Sequence, residues 1–78
     1  EEELQVDVYP NPVTDYLYIA MAGHQSVQIR LMNNSGVILL REVFTDSGYL
    51  DIRNLTSGIY ICLLRSGNQQ RLVKIIKR

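Results

Sequence analysis

Apolar residues recur at every second position in short runs along this chain, and no segment carries a convincing 3.6-residue repeat. That pattern restricts the fold to β structure. Leu4, Val6 and Val8 alternate with Gln5 and Asp7 in a first strand that stops at Tyr9-Pro10-Asn11-Pro12. Each proline removes a ladder donor and pushes its predecessor to extended geometry, so the chain turns or crosses between sheets here. A second strand runs from Tyr16 to Met21, and a third alternates Val27, Ile29 and Leu31 with Gln28 and Arg30. Asn33-Asn34-Ser35-Gly36 supplies residues that tolerate positive φ, which predicts a tight hairpin into a fourth strand from Val37 to Phe44.

Asp46-Ser47-Gly48 turns into a short fifth strand, Tyr49 to Arg53, and Leu55-Thr56-Ser57-Gly58 leads to a sixth, Ile59 to Arg65. The sixth is apolar on both faces, through Ile59, Ile61 and Leu63 on one side and Tyr60, Cys62 and Leu64 on the other. A strand of that kind is normally central in its sheet. After Ser66-Gly67-Asn68 a last strand extends from Gln70 to Lys77. Seven short strands at regular turn intervals predict an all-β fold: an immunoglobulin-like, antiparallel seven-stranded sandwich with Greek-key connections. Leu17, Ile19, Val27, Ile29, Leu31, Ile52, Ile61, Val73 and Ile75 form its predicted core.

A chain of 78 residues holds one domain, 1–78, and buries about 60% of its unfolded surface. Residues 1–3 are all Glu and read as the end of an upstream linker. The chain opens on Glu rather than Met, which suggests a piece of a longer protein whose export signal lies upstream. Eight acidic and eight basic residues cancel, so no overall field favours nucleic acid or anionic lipid. No stretch approaches the roughly 20 apolar residues of a membrane span.

The search for chemistry returns no catalytic, metal or cofactor site. His24, the sole histidine, sits beside Gly23 without a nearby nucleophile and reads as a surface-loop residue. Cys62, the sole cysteine, lies between Ile61 and Leu63 and reads as a small apolar core thiol. Asp7, Asp15, Asp46 and Asp51 are dispersed and lack calcium-loop spacing. The sequons at Asn33 and Asn54 read as turn residues. Tyr16 and Tyr18 occupy the face opposite Leu17 and Ile19, as a binding platform or, more simply, as cover for a sandwich edge.

Three segments taken together carry a resemblance: Val8-Tyr9-Pro10-Asn11-Pro12, Leu55-Thr56-Ser57-Gly58-Ile59-Tyr60 and Lys74-Ile75-Ile76-Lys77. In order and spacing they resemble the type A C-terminal sorting domain of the Por, or type IX, secretion system, found for example on gingipain proteases. The resemblance implies recognition by an outer-membrane translocon and export of an upstream cargo to the cell surface. In most members a sortase-like protease then removes the domain. It implies structural roles for Pro10, Asn11, Pro12, Gly58 and Tyr60, and a recognition role for Lys74, Ile75, Ile76, Lys77 and Arg78. Two features depart from the family pattern: Arg78 follows the last lysine, and Cys62 stands where an aliphatic residue is expected.

Independently of the resemblance, Gly58 can take a positive φ and launch its strand from a tight corner. The terminal strand can be bound by augmentation, and an unpaired edge offers a route to homodimers. Its cations, as exposed charges, should contribute little to stability. The alternatives are a permanent adhesive or carbohydrate-binding module and a spacer packed on an upstream domain. Loss of residues 74–78 separates them: a glycan module tolerates it, a spacer loses stability, and a sorting signal loses delivery.

Overall fold

The computed structural model describes residues 4–23 and 25–78. The acidic start at residues 1–3 and His24, expected in a surface loop, lie outside the described residues. Seven strands follow in order: β1 (Val6–Tyr9), β2 (Tyr16–Met21), β3 (Val27–Asn33), β4 (Ile38–Phe44), β5 (Gly48–Asp51), β6 (Gly58–Ser66) and β7 (Gln69–Lys77). No helix occurs among the described residues. One sheet has the order β1-β2-β5 and the other β4-β3-β6-β7, all ladders antiparallel. The chain therefore changes sheet between β2 and β3, between β4 and β5, and between β5 and β6. This is the sandwich that the turn spacing predicts, with the fourth strand joined to the sheet of the third, sixth and seventh.

Hairpin chemistry at the β3–β4 turn divides between two residues. Asn33 Oδ1 accepts the N–H groups of Ser35 (2.9 Å) and Val37 (3.0 Å), and Gly36 alone takes positive φ, at 89°. Asn33 thus contributes an acceptor that nucleates the turn rather than a left-handed backbone.

The core gathers Leu4, Val6, Leu17, Ile19, Val27, Ile29, Leu31, Leu50, Ile52, Leu64 and Ile75 between the sheets. Seven of the nine predicted core positions are buried: Leu17, Ile19, Val27, Ile29, Leu31, Ile52 and Ile75. Val73 is half-buried against the cluster. Ile61 is the correction. It lies half-buried on the outer face, and β6 turns Tyr60, Cys62 and Leu64 inward instead. With apolar groups on both sides of β6, alternation alone could not choose the inner one. The central placement holds, since β6 pairs with β3 on one side and β7 on the other.

Cys62 is fully buried and free, and burial pushes its thiol up to about 12, because a thiolate there would lose its hydration.

Candidate functional site

The three sequence motifs, tens of residues apart, meet at one end of the sandwich around the end of β7. On one side β6 pairs with it, in the register Gly58↔Lys77, Ile59↔Ile76 and Tyr60↔Ile75. On the other side lies the segment that follows β1. Asn11 donates its side-chain amide to the Lys74 carbonyl (2.7 Å) and accepts the Ile76 N–H at its Oδ1 (3.0 Å). Val13 then pairs as a parallel bridge, donating to the Ile76 carbonyl (2.8 Å) and accepting the Arg78 N–H (2.8 Å). One side-chain amide thus reproduces the donor and acceptor of a strand residue, and the chain itself takes over two residues later. The prolines suit this segment because it leaves the β1–β2 ladder here and needs no N–H from either of them. Both the Tyr9–Pro10 and Asn11–Pro12 bonds are cis.

This arrangement corrects the expectation of a free terminal edge. The outward backbone groups of Lys74, Ile76 and Arg78 are engaged by Asn11 and Val13, so strand addition at this position requires residues 11–13 to be released first. Val13 is 1% exposed, which anchors the crossing segment in the core. Farther along β7, Arg71 reaches across to the opposite sheet, donating to the Val6 carbonyl with Asp7 4.0 Å from its guanidinium.

The tip of β7 divides its side chains by parity. Ile75 is fully buried and Lys77 is 8% exposed, both pointing between the sheets, while Lys74, Ile76 and Arg78 face solvent. Lys77 therefore departs from the expectation that the terminal cations are exposed charges of little structural consequence. Its ammonium donates to the backbone oxygen of Arg78 (3.0 Å), and its alkyl stem occupies an inward position.

Tyr60 points into the core at 6% exposure, and its hydroxyl donates to the Thr56 carbonyl four residues upstream (2.5 Å). That is the geometry of a tyrosine corner, which ties the entry of this strand to the preceding turn. Gly58 takes the expected positive φ, at 158°, a backbone conformation that residues with a Cβ rarely adopt, although a Cβ there would meet nothing within 4 Å. The backbone, rather than the space around it, is therefore what requires glycine at that position.

The tyrosines form a row that extends beyond the pair Tyr16 and Tyr18. Tyr9 sits opposite Tyr18, and Tyr18 opposite Tyr49, across the outer face of the three-stranded sheet. Ring centroids lie 5.4 Å apart for Tyr9–Tyr18, 4.8 Å for Tyr18–Tyr49 and 6.3 Å for Tyr16–Tyr49, and the Arg53 guanidinium covers Tyr16 at 5.1 Å. They span the face of the sheet rather than covering an edge. Beside them Arg53 makes a bidentate pair with Asp51 (3.0 and 2.9 Å), which holds the carboxyl at about 2, well below its usual range.

Among the described residues, no group of three or more His, Cys, Asp or Glu side chains is placed to hold a metal ion. No helix among them is long and apolar enough to cross a membrane. Residues 7–78 match the family model of the secretion system C-terminal sorting domain. No curated protein matches the chain.

Proposed function

The chain belongs to the secretion system C-terminal sorting domains, and from that premise we propose that residues 1–78 form a single domain that delivers an upstream cargo through a type IX outer-membrane translocon. A domain of this family is a sorting signal attached to cargo, and it serves secretion toward the cell surface. In the proposed sequence of events the translocon binds the folded domain, and a sortase-like protease afterwards separates it from the cargo. The domain itself performs no chemistry.

One observation carries the proposed recognition site. At the end of β7 the backbone is engaged on both sides, and Ile75 and Lys77 are turned inward, which leaves Lys74, Ile76 and Arg78 as the groups a partner can touch. Ile75 and Lys77 then hold the strand in place, and the three outward side chains are read. Pro10, Asn11, Pro12, Gly58 and Tyr60 act by setting the strand's position.

Fusion of residues 1–78 to an inert periplasmic reporter, in a bacterium with this secretion system, tests the reading. The reporter is expected at the cell surface. Changing Lys74→Gln and Arg78→Gln, with Lys77 untouched, is expected to reduce delivery without lowering the melting temperature. Periplasmic retention of the unaltered fusion contradicts the sorting function, and full delivery of the folded double variant contradicts side-chain reading at the tip.

The tyrosine row favours a second reading, a permanent glycan-binding module. Against it, the rings are tilted 51–78° to one another and pack together, so they form no flat shelf for a sugar ring.

A further inference from the structure

The zero net charge conceals a separation that only the register of the strands reveals. On the outer face of the four-stranded sheet Arg41, Arg30, Leu63 and Leu72 form one continuous row across all four strands. Arg65 lies in the row on one side of it and Lys74 in the row on the other. No Asp or Glu among the described residues holds an outward position on this sheet, since Glu42 sits opposite the buried Ile29 and so belongs to the inner side. None of these four cations is in an ion pair among the described residues. The strand carboxylates Asp7 and Asp51 lie on the other sheet, beside the tyrosines.

Two details give this face the character of a docking surface. Arg30 and Arg41 are direct cross-strand neighbours, and like charges in that relation repel, so the isolated domain holds an arrangement that an anionic partner relieves. Between the cations stand aliphatic side chains, with Leu72 63% exposed. Charged groups around exposed aliphatic ones provide steering and contact area together.

We propose that this face is a second recognition surface, continuous with the outward side of β7, and that its occupant is a protein bearing clustered carboxylates around apolar contacts. The proposal rests on the sorting reading and extends it from the tip of the chain to the whole sheet. A protein fits better than a lipid surface, because no outward position of these four strands carries an aromatic ring to anchor at a membrane interface. The same lack removes any stacking platform for nucleic-acid bases.

The reporter fusion decides it with Lys74 and Arg78 left intact. Arg30→Gln, Arg41→Gln and Arg65→Gln together are expected to lower surface delivery roughly tenfold, the equivalent of about 1.4 kcal/mol of binding. The melting temperature is expected to hold or rise, because the Arg30–Arg41 repulsion is gone. Arg→Lys at the same three positions is expected to retain most delivery, which separates charge from packing. Full delivery of the folded Gln variant overturns the second surface while leaving the sorting function standing. Periplasmic retention of the unaltered fusion instead removes the reading on which it rests. Salt-sensitive sedimentation of the purified chain with phosphatidylglycerol vesicles, abolished in the Gln variant, overturns the choice of a protein occupant.

Discussion

Strands β4 and β7 both border the four-stranded sheet, and only β7 has its outer backbone engaged at the end where the sequence motifs meet. Beyond β4 there is no further strand among the described residues, and Arg41, Glu42 and Val43 are all exposed, so charged side chains are its protection against edge pairing. At β7 the protection is the segment that follows the other sheet's first strand, residues 11–13, carried across and bonded in place. The difference separates two ways of finishing a sheet. A charged edge keeps partners away, whereas a covered edge fixes the strand's position and leaves only its outward side chains to be read.

The largest expected effect breaks the comparison inside the sandwich. Ile75 on β7 is fully buried, whereas Leu40, an inward residue of β4, is only half-buried against the core. Ile75→Ala is expected to destabilise by about 2–5 kcal/mol, the range for a buried aliphatic truncation, and Leu40→Ala by clearly less. Urea unfolding of both variants measures this; equal losses would mean that β4 and β7 are anchored alike.

A smaller effect is expected from making the β7 edge resemble β4. Asn11→Ala removes two hydrogen bonds to β7, and at about 0.5–1.5 kcal/mol each the loss is about 1–3 kcal/mol. Amide hydrogen exchange localises it: the Ile76 N–H loses its acceptor and exchanges faster, while amides that β4 donates to β3 keep their protection. Unchanged Ile76 exchange would show that Val13 alone closes the edge.

The smallest effect falls on β5, an edge of the other sheet, where Asp51 is held by Arg53. Its carboxyl lies at about 2 in the folded chain against 3.8 ordinarily, so the folded state favours the ionised form. The stabilisation is complete above the ordinary value and disappears as pH falls from there toward 2. Both side chains are half-exposed, so solvent screens the pair and the difference is modest. Melting temperatures of the unaltered chain and Asp51→Asn are expected to converge as pH falls through that interval. A gap that persists at the acid end would assign the role of Asp51 to something other than its charge.

Alternation along the chain was enough to determine the seven strands, their turns, the central place of β6 and most of the core. These follow from local chemistry: a strand shows its two faces in steps of two, and a turn shows its requirements within four residues. The same locality explains what stayed hidden. Ile61 and its neighbours on β6 look alike from sequence because that strand is apolar on both sides, and the choice between them depends on which face the opposite sheet covers. Residue type alone makes Lys77 an exposed charge, yet strand parity places it beside Ile75 in the sandwich, with a stem long enough to bring its ammonium to a backbone oxygen. Pro10-Asn11-Pro12 and Lys74 to Lys77 were visible as motifs, but their contact spans more than sixty residues, and only the crossing between sheets brings it about. The gathering of Arg30, Arg41, Arg65 and Lys74 on one outer face was likewise decided by register alone, since the balanced composition of the chain contains no record of which residues become neighbours across strands.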